Sequence, residues 1–126
     1  MAMVLENISK SVARETHIDN VSLKLEPGTF NVLLGRTLAG KTTLMRLMAG
    51  LERPSSGRIL MNDRDLTGVP VRKRDVAMVY QQFINYPSLT VYKNIASPLK
   101  VSGVPKTEID RRVRETAKML HLEDLL

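Results

Sequence analysis

The sequence contains no cysteine and no tryptophan, and its only aromatic residues are three tyrosines and two phenylalanines. The lack of cysteine excludes disulfides and is compatible with a reducing compartment. No apolar run approaches the roughly 18 residues that a membrane-spanning helix needs, and the start lacks the charged and apolar segments of a secretory signal. At 126 residues, 43% hydrophobic and 25% charged, the composition is that of a globular chain long enough to bury a core.

The net charge of +6 raises the alternative of a basic module that binds nucleic acid. The basic clusters are short, however: Arg72–Arg74 is predicted to lie on a small solvated helix, and Arg111, Arg112 and Arg114 on the polar face of a longer one. Few aromatic side chains are available for stacking on bases. The composition therefore does not favour a nucleic-acid partner.

The most informative segment runs from Gly35 to Thr42 and matches the spacing G-x-x-x-x-G-K-[ST]. The apolar run Phe30–Leu34 before it predicts a buried strand. From Gly40 to Leu51 apolar residues recur at helical spacing, and Gly50 is a plausible stop. A strand, a glycine-containing loop and a helix in this order predict a phosphate-binding loop.

The chemistry of this loop follows from its amides and from the positive end of the helix dipole, which would both face triphosphate oxygens. Lys41 is expected to reach the outer phosphates, and the Thr42 hydroxyl suits Mg²⁺. Leu38 stands where many such loops have glycine, and it would be strained if its φ were positive. The predicted nucleotide-binding residues are Gly35, Arg36, Thr37, Leu38, Ala39, Gly40, Lys41, Thr42 and Thr43.

Further segments resemble the ATP-binding cassette (ABC) family of transporter ATPases, and the resemblance covers essentially the whole chain. It is closest to the ATPases of importers for sugars, polyols and glycerol phosphates. The matching segments are Leu5–Lys10, Val21–Gly28, Leu44–Leu51, Pro54–Gly57, Met78–Gln82 and Tyr86–Ile95.

The resemblance implies that ATP and Mg²⁺ are the cofactors and that Gln81 is a catalytic residue that contacts the metal and the attacking water. Gln81 follows Val76–Tyr80, which is predicted to be a buried strand. A neutral amide can bind the ion and orient water, but it is too weak a base to take a proton. Gln82 is the neighbouring candidate, and only one of the two can face the ligand because side chains alternate along a strand.

The resemblance also implies the partners and the location of the protein. A second ATPase subunit, identical or paralogous, would close around two nucleotides. Transmembrane permease subunits would contact the segment Tyr86–Leu89, where we expect Tyr86, Pro87 and Leu89 to line the contact. The protein would then be cytoplasmic and bound peripherally to the inner face of the membrane.

Three elements of the family are missing from the sequence: an LSGGQ-type signature, a strand that ends in an aspartate–glutamate pair, and a switch histidine. Asp63 does not replace the carboxylates, because Asn62–Asp65 has the composition of a turn. His17 lies in a polar loop, and His121 is expected to be solvated or to cap a helix. We therefore expect the N-terminal portion of a longer ATPase, with little or no hydrolysis by this chain.

Adenine recognition is a second departure from the family, whose members stack the base on an aromatic side chain near the first strand. Val12 or Ala13 occupies that position here, and no aromatic residue precedes Phe30. Loss of a stacking platform costs base affinity on the order of 1 kcal/mol. Either His17 takes over the contact, or selectivity for the base is poor.

The fold class expected from these observations is α/β: a truncated P-loop NTPase core with an antiparallel β edge and the start of an α-helical subdomain. The core would comprise residues 1–86, and the helical part residues 87–126. Strands are predicted over 3–9, 16–25 and 58–61. Another P-loop enzyme, a nucleotide kinase or a GTPase, stays open as an alternative, although no metal-holding aspartate at a strand end supports it.

Two helices are predicted in the second half. Thr90 should cap a helix that passes through Ala96 and ends at Pro98. A last helix, 107–122, should bury Ile109, Val113, Ala117 and Leu120, and Thr107 and Asp110 have the spacing of a capping box at its start.

Overall fold

The computed structural model describes residues 2–126, which form two compact units, 2–79 and 80–126. The first unit contains a four-stranded antiparallel sheet in the order β2-β1-β3-β4 and one helix, α1. Its elements are β1 (Met3–Val12), β2 (Glu15–Leu25), α1 (Lys41–Ala49), β3 (Ser56–Met61) and β4 (Arg64–Asp65). The strands predicted over 3–9, 16–25 and 58–61 are thus confirmed.

Tight turns connect the neighbouring strands of this sheet. Val12 pairs with Glu15, so the β1–β2 turn consists of Ala13, at φ 56°, and the residue after it. The turn between β3 and β4 is Asn62-Asp63, and both residues have positive φ, which the twist of a two-residue hairpin favours. Asp63 is therefore a turn residue, as its sequence context predicted.

One face of the sheet packs on α1 through a fully apolar core. Leu5, Ile8 and Ile59 from the sheet contact Leu44 and Leu47 from the helix, and all five are buried. Full burial of each such side chain stabilises the fold by roughly 2 kcal/mol. This packing places the N-terminal end of α1, where the predicted phosphate loop ends.

Two predicted strands are absent among residues 2–126. Phe30–Leu34 and Val76–Tyr80 are irregular, and Phe30, Leu34 and Val79 are at least 85% exposed. A strand inside a parallel sheet needs a partner on each side for its amides and carbonyls. Nothing in the described part of the chain pairs with these segments, so their apolar composition did not suffice to make them strands.

The second unit consists of α2 (Val91–Val101) and α3 (Lys106–Met119), which pack together through Ala96, Ile109 and Val113. The Thr90 hydroxyl accepts a hydrogen bond from the Lys93 amide at 3.1 Å, which confirms the predicted cap of α2.

Pro98 does not end α2, contrary to the prediction. Proline removes a single hydrogen bond, the one that would reach the Asn94 carbonyl. The helix continues for one turn because the Pro98 carbonyl still accepts from the Ser102 amide at 3.0 Å and because Leu99 packs on the core of the unit.

The prediction for α3 is correct for its core and wrong for its ends. Ile109, Val113 and Ala117 are buried, but Leu120 follows the last turn and is 56% exposed. Thr107 makes no cap, since Pro105 occupies the N-cap position. His121, at φ 56°, donates its amide to the Lys118 carbonyl at 3.2 Å, as expected of a residue that caps a helix.

Asp110 bonds to side chains instead of forming a capping box. It accepts from the Tyr92 hydroxyl at 2.8 Å and from Arg114 at 2.9 Å, and these bonds lower the pKa of its carboxyl. Arg111 and Arg112 both donate to Glu108, and their bonds lower the pKa of that carboxyl to about 2. The basic face of α3 is therefore largely paired with carboxylates.

The short basic helix at Val71–Lys73 is present as a 3-10 turn, but Arg74 is not solvated as predicted. Arg74 is only 7% exposed, and its guanidinium bonds to backbone carbonyls. The prediction failed because a run of basic residues does not show which of them will lie close to unpaired backbone carbonyls of other segments. Among residues 2–126 no helix is long and apolar enough to cross a membrane.

Candidate functional site

The segment Gly35–Gly40 forms an irregular loop that leads directly into α1. Gly40 is the N-cap of the helix, at φ 89° and ψ 9°, and no side chain caps the first turn. The first amides of a helix have no partner within the helix itself. The start of α1 therefore presents N–H donors and the positive end of its dipole next to the loop.

Lys41 folds back over this loop. Its ammonium donates to the carbonyls of Gly35 and Arg36, the latter at 2.7 Å. The Ala39 amide donates to the Arg36 carbonyl at 3.1 Å, which closes a turn. The loop is thus folded rather than extended, and its lysine lies on it.

Gly40 also anchors the loop against the sheet. A Cβ at this position would lie 2.6 Å from the His17 carbonyl oxygen and 2.8 Å from Ile18 Cδ1. Both contacts are too short for any side chain, and the positive φ independently disfavours one. Gly35 has no such restriction, since a Cβ there would be at ordinary contact distances from Ala39 and Lys41.

Leu38 has a φ of 66°, and its side chain is 99% exposed. A left-handed backbone costs a residue with a Cβ roughly 1–2 kcal/mol. Burial of the side chain does not offset that cost here. The positive φ on which the expected strain depends is therefore present.

The first turn of α1 carries the two threonines of the motif. Thr42 is exposed, and Thr43 is partly buried beside it. An exposed hydroxyl on the first turn, next to an ammonium and to free amides, has the chemistry that a magnesium ion bound to phosphate requires. In residues 2–126 no group of three or more histidine, cysteine and acidic side chains is arranged to hold a metal by itself.

The His17 carbonyl contacts Gly40, and His17 therefore lies beside the loop. The imidazole is partly exposed, with Nε2 3.9 Å from a Glu15 carboxylate oxygen. Val12 is 49% exposed, and Ala13 forms the hairpin turn. His17 is therefore on a strand in contact with the phosphate loop and not in a polar loop, which corrects its predicted setting.

Gln81 and Gln82 are exposed and lie in a bend at the start of the second unit. Neither follows a strand, because Val76–Tyr80 is irregular. The alternation argument that separated the two glutamines does not apply to them.

The segment Tyr86–Thr90 is held in place by Asn94, which sequence reasoning missed. The Asn94 amide oxygen accepts from the Tyr86 amide at 2.8 Å. Its nitrogen donates to the carbonyls of Tyr86 at 3.1 Å and Leu89 at 3.2 Å. A signal existed: asparagine is a poor helix former, and inside a helix it often bonds to nearby backbone.

A separate open groove of about 460 Å³ lies on the sheet. Three of its residues, Asn7, Asn20 and Gly57, have positive φ where the pairing of β1 with its neighbours shifts. The groove contains no residue of the phosphate loop. Its lining residues are Glu6, Asn7, Ser9, Asn20, Ser56, Gly57 and Arg58.

The chain is similar to proteins of a known family. Residues 18–126 match the family model described as "ABC transporter". A solved structure of the ATP-binding cassette MJ0796, a dimer in a post-hydrolysis state bound to ADP and phosphate, is similar, with a TM-score of 0.79 and 25% identity. The similarity covers 93% of this chain and 56% of that one.

Three curated relatives are named for the import of different substances. The trehalose/maltose import ATP-binding protein MalK of Thermococcus litoralis is 44% identical over 97% of this chain. The spermidine/putrescine import ATP-binding protein PotA of Pseudomonas aeruginosa is 44% identical over 95%. The Fe(3+) ions import ATP-binding protein FbpC of Brucella abortus is 43% identical over 96%. The chain spans about a third of the length of each relative.

Proposed function

Because this chain belongs to the ABC transporter family, we propose that it is the ATP-binding portion of the nucleotide-binding subunit of an importer, with a core over residues 1–86 and a helical part over 87–126. The expected α/β fold of a P-loop NTPase with an antiparallel edge is confirmed, apart from the two strands corrected above. The observation that supports the function best is the folded loop of residues 35–40, with Lys41 lying on it at the start of α1.

In this proposal the amides of the loop and of the first turn of α1 bind the triphosphate of ATP. Lys41 exchanges its bonds with the Gly35 and Arg36 carbonyls for bonds to the outer phosphates. Thr42 would hold Mg²⁺, which would supply positive charge to neutralise the phosphates. By its resemblance to the family, Gln81 would contact the metal and orient water.

We also propose where the partners bind. Tyr86, Pro87 and Leu89 are exposed on a segment that Asn94 fixes, and an exposed, rigid apolar segment suits a permease subunit on the inner face of the cell membrane. A second ATPase subunit would complete the nucleotide site. The transported solute is proposed to be a carbohydrate or polyol; the MalK relative is named for trehalose and maltose. The relatives named for polyamines and Fe³⁺ are as similar in sequence, so identity does not separate the three classes.

The 126-residue chain is proposed to bind ATP without sustained turnover. Hydrolysis of a phosphoanhydride depends on positioned charges around the transferred group. The sequence contains no LSGGQ-type signature and no aspartate–glutamate pair after a strand.

Titration of a fluorescent ATP analogue with Mg²⁺ tests the proposal. Lys41→Ala should weaken binding about 10- to 100-fold, because hydrogen bonds to a charged group contribute about 1.5–3 kcal/mol. Lys24→Ala is the matched control, since Lys24 is an exposed lysine of the same unit paired with Glu26 at 2.8 Å. Equal affinity of wild type and Lys41→Ala would contradict the proposal.

Competition between ATP and GTP separates this proposal from the alternatives. Without a stacking aromatic before Phe30, we expect little preference for adenine unless His17 provides the contact. A strong preference for GTP would favour another P-loop enzyme. The arginines of α3, which suggested nucleic acid, are paired with Glu108, Asp110 and Glu115 and do not favour that partner.

A further inference from the structure

Arg74 is the buried cation of the first unit, and it binds backbone only. Its Nη1 donates to the carbonyls of Leu47 at 3.2 Å and Met48 at 3.1 Å, which lie in the last turn of α1. Its Nε donates to the Val69 carbonyl at 3.0 Å, and its Nη2 to that of Leu66. Among residues 2–126 it makes no ion pair with a carboxylate.

Backbone dipoles compensate this charge. The carbonyl end of a helix carries partial negative charge, which stabilises a cation placed there. Desolvation lowers the pKa of Arg74 below its usual value, but an arginine stays charged at neutral pH. The planar guanidinium reaches α1 and the segment 66–69 at once, and a lysine ammonium could not match that geometry.

Gly50 leaves the space that Arg74 occupies. A Cβ on Gly50 would lie 2.6 Å from Arg74 Nε. Gly50 is also the C-cap of α1 at φ 82°, and its amide donates to the Leu47 carbonyl at 3.1 Å. The Leu47 carbonyl therefore accepts from both the cap and the guanidinium.

The two ends of α1 thus make different kinds of contact. The helix has nine residues and is about 14 Å long, short enough for one end to set the position of the other. Its N-terminal end presents Lys41 and Thr42. Its C-terminal end is tied by Arg74 to a segment that follows β4.

From these contacts we propose that Arg74 is a positioning residue for the phosphate loop. By fixing the C-terminal end of α1, Arg74 sets the position and orientation of the helix. It thereby determines where Lys41, Thr42 and the first amides of α1 lie when a nucleotide binds. The part of the inference that concerns affinity rests on the proposed function, and the part that concerns the loop does not.

The first test needs no nucleotide. Arg74→Met keeps the length of the side chain and removes its donors; Arg58→Met is the control, because Arg58 is an exposed arginine of β3 paired with Glu6 at 2.6 Å. Amide hydrogen exchange should become faster at Leu44, whose amide bonds to the Gly40 carbonyl at 2.9 Å, in Arg74→Met only. Changes confined to residues 47–50 and 66–74 would overturn the proposal.

The second test measures the affinity for the fluorescent ATP analogue with Mg²⁺. Arg74→Met should weaken binding about tenfold, since small displacements of positioning groups have effects of this size or larger. Arg74→Lys should show an intermediate loss. If Arg74→Met does not fold, Arg74→Lys decides, and wild-type affinity and exchange in that variant would refute the inference.

Chemical rescue separates positioning from simple packing. In Arg74→Ala, low-millimolar guanidinium chloride should restore both slow exchange at Leu44 and analogue binding, whereas equal NaCl should not. No rescue in a folded Arg74→Ala chain contradicts the proposal. If wild type fails to bind the analogue while Arg74→Met still perturbs Leu44, the proposed function fails and the positioning role stands.

Discussion

Three positions of the loop over residues 35–40 differ in what they require of the side chain. Gly40 cannot carry a Cβ, because both its φ of 89° and the His17 carbonyl exclude one. Leu38 has a similar left-handed backbone but carries a full side chain in solvent. Gly35 has neither restriction. A glycine count therefore does not reveal which loop positions need glycine.

The strain at Leu38 leads to a test by substitution. Leu38→Gly should raise the free energy of unfolding by up to about 1 kcal/mol, because relief of a 1–2 kcal/mol strain exceeds the added flexibility of glycine. Urea denaturation measures the change. Leu34→Gly is the control: Leu34 is exposed and irregular without positive φ, so that change should lower stability or leave it unaltered. A lower urea midpoint for Leu38→Gly would show that the loop tolerates leucine without strain.

At the scale of elements, the ends of the three helices are built differently. Glycines flank α1, a threonine hydroxyl caps α2, and Pro105 precedes α3 without any side-chain cap. Asn94, within α2, bonds back to the segment before that helix. The start of α2 therefore has more side-chain hydrogen bonds to the backbone than the start of α3.

The two threonines at helix starts should respond differently to alanine. Thr90→Ala should destabilise the chain by about 1 kcal/mol, because the Lys93 amide loses its acceptor. Thr107→Ala should change stability by less than about 0.5 kcal/mol, since Thr107 is exposed and caps nothing. Helix content during urea denaturation provides the measurement, and Thr90→Ser should retain the wild-type value. Equal losses for both alanines would mean that the Thr90 bond contributes nothing.

At the scale of the whole molecule, each unit has its own core and each leaves large apolar side chains in solvent. Phe30 is 95% exposed in the first unit, and Phe83 is fully exposed in the second. Exposed apolar clusters of this kind promote association with other surfaces. These side chains are therefore candidate contact surfaces.

Replacement of these two residues tests that statement. Phe30→Ser with Phe83→Ser should reduce concentration-dependent light scattering and change the free energy of unfolding by less than about 0.5 kcal/mol. Ile59→Ser is the contrasting variant: Ile59 is fully buried, so a polar group there should cost several times more, on the order of 3 kcal/mol. A large loss of stability in the double variant would show that the phenylalanines are packed in solution.

Much of the architecture could be read from local patterns. Alternation predicted β1 and β2, helical spacing predicted α1 and the buried face of α3, and the turn at Asn62-Asp63 followed from its composition. These features depend on interactions between residues near one another in the chain. The folded loop of residues 35–40 belongs to the same class, since its glycines, its lysine and its helix are contiguous.

Several of the errors share one cause, which is that the outcome depended on a bonding partner that the local pattern does not specify. The run Phe30–Leu34 has the composition of a strand, but pairing needs a second strand at hydrogen-bonding distance. Arg74 looks like its basic neighbours, yet its guanidinium donates to four backbone carbonyls, those of Leu47, Met48, Leu66 and Val69. Asn94 and Asp110 likewise take partners that sequence spacing does not specify.

For this protein the order of residues was enough to identify the family, the loop that leads into α1 and most elements, because short-range geometry and recurring motifs encode them. Tertiary packing determined which apolar segments pair as strands, which arginine is buried, and which residue contacts Gly40. Those outcomes depend on which groups come close enough in the folded chain to use the same hydrogen-bond acceptors or to occupy the same space. A local sequence pattern does not contain that information.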